Sequence, residues 1–501
     1  MKEFQELVMS RYIIAIDQGT TSTRTAIVNQ AGGLVSQNNE DFPQIFPKPG
    51  WVEHDPEAIW KTTVNTLKRT LEQTRIEGSK IAAIGITNQR ETVVLWDRKT
   101  GKPVYNAIVW QCRRTKDFCD KLKKNKKEKM IQKKTGLVID PYFSASKIHW
   151  ILKNVPGVRE RARKGELAAG TIDSFLLWRL TGGKTHKTDV SNASRTMLMN
   201  IHDGWWDEEL LKLFGIPASI LPEIAPSSGE FGKTQGLGFL PDGIPISGIA
   251  GDQQAALFGQ ICFDVGDVKC TFGTGSFILL NTGTKAVHSK AQLLTTIAWK
   301  LRDQKMVYAL EGGAFNCGAA VQWLRDGLGF FQHSAEVEQL AASVESSEGV
   351  EFVPALTGLG APHWNAEARG VICGLTRGTT KAHVARATLE AMALQNVDIL
   401  TVMQNDLGRK LKSIKVDGGA SANNLLMQLQ ADYAMTKVIR PQIVESTAIG
   451  AAYLAGLGIG FWYGIDDIRK IWKMDKDFKA TMTARSRSLR LDSWARALGR
   501  V

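Results

Sequence analysis

A chain of 501 residues is longer than a single hydrophobic core supports, so two domains are the first expectation. Hydrophobic residues make up 43% and charged residues 23%, which excludes a disordered chain or a fibre. The net charge of +13 points toward nucleic acid or an anionic membrane, yet much of the excess sits in Lys121–Lys134, KLKKNKKEKMIQKK, without arginines or interleaved aromatics; a solvated helix face is expected there, and no nucleic-acid partner.

The opening MKEFQELVMSRY has no apolar core of signal length. Tyr12–Ile16 and Thr25–Val28 are β-branched apolar runs on either side of DQGTTSTR, which predicts a hairpin with a chemically loaded turn. Gly19 permits a tight turn, and its neighbours Thr20, Thr21, Ser22 and Thr23 offer hydroxyls and backbone amides to phosphate oxygens. Arg24 adds a charged fork, and Asp17 at the strand end suits magnesium. The plainer reading of these residues is a polar hairpin tip with an Asx-turn. The turn is not a Walker A loop: the chain's one G-K-T, Gly183-Lys184-Thr185, has Trp178 where the first glycine belongs.

Pro56–Leu71 reads as a helix, Ile81–Ile86 and Thr92–Trp96 as strands, and Arg159–Leu167 as a helix. In Ile246–Gly259, ISGIAGDQQAALFG, a strand ends at Ala250-Gly251 and a helix follows. Asp252 at that junction suits a helix cap, a general base or a magnesium holder equally well. A domain boundary is expected at Gly259–Asp264, dividing the chain into residues 11–258 and 259–501. The second half opens on Asp267–Thr271, the turn FGTGS and Phe277–Leu280, a second hairpin of the same kind. Two such hairpins predict two domains on one plan, each with a phosphate-binding turn. VDGGASANN, before the helix LLMQLQADY, lets a base or ribose approach the backbone, or is simply a helix start with an Asn cap. Ser446–Ile465 is uncharged, but its glycines favour a buried helix through AIGAAYLAG over a stable membrane insertion. Six cysteines without a C-x-x-C pair fit a reducing, cytoplasmic setting, and the histidines lack metal-ligand spacing. Alternating strands and helices with no long linker predict an α/β architecture docked across a cleft.

Together, AIDQGTTSTR, GITNQRETVVLW, NAIVWQCRR, TGLVIDPYFSASK, SNASRTM, GIAGDQQAALFGQ, TFGTGS, ALTGLGAPHW, GLTRG and VDGGASANN resemble the glycerol kinases, within the FGGY carbohydrate kinases of the actin-like ATPase superfamily. The resemblance runs from about Tyr12 to Trp462. It implies two ribonuclease H-like domains flanking a deep interdomain cleft, and phosphorylation of glycerol by ATP and Mg2+ to sn-glycerol 3-phosphate. A kinase for another polyol or ketose is the alternative. The resemblance implies that Thr20, Thr21, Ser22 and Arg24 contact the nucleotide phosphates, while Arg90, Glu91, Tyr142, Asp252 and Gln253 hold glycerol hydroxyls. Trp110 and Phe277 would wall the carbon chain, and Thr274, Gly318, Gln322, Gly419 and Asn423 would line the ATP site. Asp252 would be the base, with Asp17 and Asp252 at the metal. A homo-oligomer, dimer or tetramer, is expected. Two segments depart from some bacterial members: Thr234–Gly243 lacks the glycine-rich arginine segment used for sugar-bisphosphate inhibition, and Ser227–Gly232 lacks a phosphorylated histidine. The last thirty or so residues diverge and are basic.

Overall fold

The computed structural model describes residues 11–365 and 367–501. All but the last two residues of MKEFQELVMSRY therefore lie outside the described residues.

One sheet is built from β1 (Tyr12–Gln18), β2 (Ser22–Asn29), β3 (Leu34–Asp41), β4 (Ile81–Asn88), β5 (Ser228–Lys233) and β6 (Pro245–Gly251), in the order β5-β6-β4-β1-β2-β3. β1 to β3 form an antiparallel meander, while β4 and β6 join β1 in parallel. The central strands are buried on both faces, which suits their continuous runs of isoleucine and alanine. A second sheet holds β7 (Asp267–Phe272), β8 (Ser276–Gly283), β9 (Leu294–Trp299), β10 (Val307–Ala314), β11 (Ser413–Asp417), β12 (Val438–Pro441) and β13 (Met474–Phe478). Its order is β9-β10-β8-β7-β11-β12-β13. Within it, β10-β8-β7-β11-β12 repeats β3-β2-β1-β4-β6 in both order and direction. The two predicted hairpins are thus the equivalent first corners of two similar sheets.

Helix α1 (Pro56–Thr74) starts where expected, because the Asp55 carboxylate accepts from the Glu57 amide and Pro56 occupies the first turn. The helix expected over Arg159–Leu167 is shorter. It spans Val158–Arg163, the chain turns at Gly165 with φ of 73°, and Leu167–Thr171 pairs as a strand with Val93–Asp97. Leu167 and Ala169 face a core there, and that burial outweighs the local helical pattern. The lysine-rich stretch forms helices Lys116–Lys124 and Glu128–Thr135, with Leu122 and Ile131 buried and Lys121, Lys123, Lys124, Lys126, Lys129 and Lys133 exposed, the solvated face that was expected.

The halves are joined by α2 (Asp252–Gly259) and α5 (Ser446–Gly458); α3 (Gly318–Asp326) and α4 (Asn424–Ala434) belong to the second half. Although α5 comes late in the chain, it lies on the first sheet, its Ala451 and Ala455 backbone seated over Gly85 and Gly248. Ser228 and Ser247 donate to its Leu454 and Ala455 carbonyls, each at 2.8 Å. It crosses α2 backbone to backbone: a Cβ on Gly450 would overlap the Ala255 carbonyl oxygen, and one on Gly259 that of Ser446. This is the buried helix read from AIGAAYLAG. Among the described residues, no helix is long and apolar enough to cross a membrane.

Gly450→Ala should therefore cost about 1–3 kcal/mol or more through overpacking and lower the melting midpoint by several degrees. Gly419→Ala, whose added Cβ meets nothing within 4 Å, should leave the midpoint unchanged.

Candidate active site

The parallel strands bring three chain segments to one edge. Asp17 of β1 stands opposite Thr87 of β4, and Gly251 of β6 stands opposite Asn88. Beyond those strand ends come the β1–β2 turn, Arg90-Glu91 and Asp252. Ligands of parallel sheets collect at such carboxyl ends.

Arg90 is buried and most of its guanidinium donors are engaged. Nη1 and Nη2 donate to the Glu311 carboxylate at 2.6 and 2.9 Å, and Nε meets Asp252 Oδ1 at 3.0 Å. Arg195, wholly buried, donates to Glu91 at 2.6 Å and to Glu311 at 3.1 Å. The result is an alternating chain of charges, Asp252–Arg90–Glu311–Arg195–Glu91. Burial pushes the Glu311 carboxyl upward, but the two guanidiniums, Arg195 and Arg90, overcome this and hold it down at about 2. Glu91 is pushed up by burial more than Arg195 and Arg90 pull it down. Its backbone is also unusual for a side-chain-bearing residue, with φ of 64°, so the turn after β4 is held in a left-handed conformation.

Asp252 is the first residue of α2 rather than its cap; Gly251 takes the cap position. Its Oδ1 accepts from the Gln253 amide at 2.7 Å, and its side chain remains about one-third exposed. Asp17 lies close enough to feel it. Burial raises the Asp17 carboxyl to about 6, with Arg24 opposing and Asp252 adding to the rise. Trp110 donates from Nε1 to Thr20 Oγ1 at 3.0 Å and packs edge-on against Tyr142 at 5.5 Å, and the Tyr142 hydroxyl is 3.5 Å from Arg90 Nη2. Asp17, Thr20, Arg24, Arg90, Glu91, Trp110, Tyr142, Asp252 and Gln253 are thereby gathered into one cluster, with Thr21 and Ser22 on the same turn. Phe277 lies on β8 opposite Gly313 of β10, the strand that carries Glu311; no direct contact joins its ring to Trp110 among the described residues.

The second-half residues form their own group. Thr274 is exposed at the β7–β8 turn, where its carbonyl accepts from the amides of Cys317 and Ala319 at the start of α3. Gly318 needs its missing side chain, since a Cβ would lie 2.7 Å from the Gly273 carbonyl oxygen. Gln322 is exposed one turn further along α3. After β11, Gly418 (φ of 82°) passes the Phe272 carbonyl, Gly419 faces open space, and Asn423 caps α4 by accepting from Leu426 at 2.8 Å. The Asn cap read from the sequence is present. Lys269 of β7 connects the groups, donating to Gln253 Oε1 at 2.5 Å and Thr271 Oγ1 at 2.8 Å.

Sequence reasoning missed Arg195 and Glu311 as site residues. Arg195 lies within SNASRTM, one of the resembling motifs. Glu311 interrupts the apolar strand VYALEGGA, and a lone acid in a buried strand was the available signal. Among the described residues no group of three or more His, Cys, Asp and Glu could hold a metal. The oxygen pair on offer is Asp17 and Asp252.

Residues 12–259 match the N-terminal domain, and residues 268–459 the C-terminal domain, of the FGGY family of carbohydrate kinases. A glycerol kinase of Bdellovibrio bacteriovorus is 69% identical over 495 residues, covering 99% of this chain and 100% of that one. The chain belongs to the FGGY family of carbohydrate kinases. A glycerol kinase of Burkholderia multivorans is 55% identical over 491 residues, 98% of each chain. The crystal structure of Plasmodium falciparum glycerol kinase with ADP superposes with a TM-score of 0.93 at 38% identity, covering 98% of each chain. The two sheets of this FGGY kinase accordingly share the fold of known sugar kinases, as the sequence led one to expect.

Because Glu311 ionises at about 2 in the fold against an ordinary 4.5, its pairing stabilises the protein above pH 4.5 and is lost progressively as pH falls below it. Glu311→Gln should be less stable at pH 6 by about 3–5 kcal/mol, since it leaves two buried guanidiniums underpaired. It should also lose less stability than the parent between pH 6 and pH 4. Urea unfolding at several pH values checks both.

Proposed function

We propose that this chain transfers the γ-phosphoryl group of ATP to glycerol, giving sn-glycerol 3-phosphate and ADP. The carrying observation is the Asp252–Arg90–Glu311–Arg195–Glu91 chain, buried except at Asp252, beside Tyr142, Gln253 and Trp110. Glycerol is small and nearly all polar, so selecting it calls for fixed donors and acceptors at each hydroxyl; a buried group left unpaired costs about 1–3 kcal/mol. Arg90 offers the Nη2 donor that reaches Tyr142 only at 3.5 Å, Glu91 an acceptor, and Gln253 both. Trp110 and Phe277 supply apolar walls that keep water from the phosphoryl group. Asp252 takes the proton of the attacking hydroxyl, whose oxygen bonds to the γ-phosphorus as the bond to the ADP oxygen breaks. Positioning and charge complementarity supply most of the acceleration, because the transition state is loose.

The phosphates would rest on the Thr20–Ser22 turn and Arg24 from one side and on Thr274 from the other. The nucleoside would lie along Gly318, Gln322, Gly419 and Asn423. Residues 11–258 would then carry the acceptor and residues 259–501 the nucleoside. Asp17 and Asp252 fit magnesium, which takes one or two carboxylates together with substrate phosphates. Magnesium, when bound, would neutralise phosphate charge. Six free cysteines and the need for ATP fit a cytoplasmic setting.

A coupled assay with glycerol and Mg-ATP, scored by an enzyme specific for sn-glycerol 3-phosphate, tests the reading; turnover of xylulose but not glycerol would assign a ketose instead. Asp252→Asn keeps the contacts to Arg90 and Gln253 but cannot take the proton, so kcat should fall by about 10²–10⁴-fold with the melting curve unchanged. Near-normal turnover would leave Asp252 a purely structural role.

The loop 234–243 closes on itself. Gly236 donates its amide to Asp242 Oδ1 at 2.7 Å, Thr234 Oγ1 donates to the Pro241 carbonyl at 2.7 Å, and Phe239 lies against Lys68. A carboxylate already occupies the amide that an anion would seek. Fructose 1,6-bisphosphate should give no saturable sub-millimolar inhibition through this loop at near-physiological ionic strength. Initial rates across a bisphosphate titration, repeated with changes in 234–243, check this.

A further inference from the structure

We propose that His54 is a positioning residue for the nucleotide phosphates, acting through two glutamines that fix the backbone of the β1–β2 turn. This rests on the reading that the turn receives phosphate. His54 is wholly buried, beyond α1's cap in the strand Glu53–His54, and touches neither the acceptor cluster nor the cleft. Its Nε2 is 2.8 Å from Gln44 Oε1, and its Nδ1 is 3.3 Å from Gln89 Nε2. One ring nitrogen therefore donates and the other accepts, which is the arrangement of a neutral imidazole. Burial supports this by lowering the ring's affinity for a second proton to about 4.

Each glutamine held by His54 in turn holds one carbonyl of the turn. Gln89 Nε2 donates to the Gly19 carbonyl at 2.9 Å, assisted by Gln18 Nε2 at 2.7 Å. Gln44 Nε2 donates to the Thr20 carbonyl at 3.2 Å. The next carbonyl, of Thr21, accepts from the Phe42 amide at 3.1 Å. In a trans peptide the carbonyl and the following N–H point in opposite directions. Anchoring the Gly19 and Thr20 carbonyls into the protein therefore aims the Thr20 and Thr21 N–H groups outward. Among the described residues, neither of those amides has a hydrogen-bond partner. Successive outward amides form a nest for an anion, and fixing them before the ligand arrives removes an ordering cost from binding. The His54 and Phe42 rings pack nearly perpendicular with centroids 5.0 Å apart, a contact that helps hold the imidazole toward its two partners.

The test uses the full chain with His54→Ala, Gln44→Ala, Gln44→Glu and the His54→Ala/Gln44→Ala pair. Mg-ADP binding is measured by calorimetry, and the Michaelis constants for ATP and glycerol are measured separately. Losing one anchored carbonyl should weaken Mg-ADP binding and raise KM for ATP about tenfold, with KM for glycerol within about twofold. Gln44→Glu should bind more weakly than Gln44→Ala, because a carboxylate then faces the Thr20 carbonyl. The double variant should bind no more weakly than His54→Ala alone, since both act on one clamp. Binding of Mg-ADP by Gln44→Ala at the parental level, a parallel rise in both Michaelis constants, or multiplicative losses would each overturn the proposal. Should His54→Ala fail to melt cooperatively, the two Gln44 variants decide the matter. A parent that binds Mg-ADP but leaves glycerol untouched would refute the acceptor reading alone, and the calorimetric comparison would still judge the clamp.

Discussion

At Gly259 and Gly450, helices from opposite halves of the chain meet backbone to backbone. No side chain can be added at either point without striking a carbonyl of the other helix. The contact matters because of what each helix carries. The first begins with Asp252, so its axis fixes where that carboxylate stands. The second is seated over glycines of the first sheet yet leads out of the strand that follows the α4 turn. The crossing is too close-packed to slide. Small residues here are thus a condition for the way the two helices meet.

The alternating charges that lead from Asp252 to Glu91 stand on that frame. Withdrawing ions from water is costly, and their mutual attraction offsets the cost only when geometry and hydrogen bonds are close to complete. Arg90 meets that condition with bonds to Glu311, Asp252, Gln254 and Tyr142. What such an arrangement provides is orientation: the charged groups that would face a hydroxyl, Arg90, Glu91 and Asp252, are already held by neighbours of opposite charge. Glu311 comes from the second sheet, while both of its arginine partners come from the first half. The charged cluster is therefore assembled by both halves, although nearly all of the expected site residues within it lie in one.

Local chemistry made much of this readable beforehand. The two hairpins were marked by apolar runs around Gly/Thr-rich turns, and the first helix was legible over Pro56–Leu71. The buried α5 was marked by small residues in place of large apolar ones. The helix over Arg159–Leu167 was misjudged because a strand pairing with residues far upstream decided Leu167, and local pattern does not carry that information. Arg195 and Glu311 escaped for a related reason. Glu311 stood out only as a lone acid in an apolar strand and Arg195 only as part of SNASRTM; long-range pairing alone reveals that each is the other's partner. The cap role of Asn423 was legible; that Gly251, not Asp252, caps α2 was not, since it depends on where the strand releases the chain.

The repeated strand order has a historical consequence. Two sheets with the same succession of neighbours and directions are what fusion of two copies of one ancestral unit would leave behind. Aligning their first turns on Gly19 and Gly273 sets Thr20 against Thr274, a hydroxyl conserved in both copies. The same alignment sets Asp17 against Thr271, and there the copies have parted: one kept or gained an acid, while the other presents a neutral hydroxyl tied to Lys269. A symmetric scaffold with an acid in only one of its two equivalent corners has a built-in polarity. That polarity distinguishes a catalyst with a defined donor side and acceptor side from a pair of equivalent nucleotide grips.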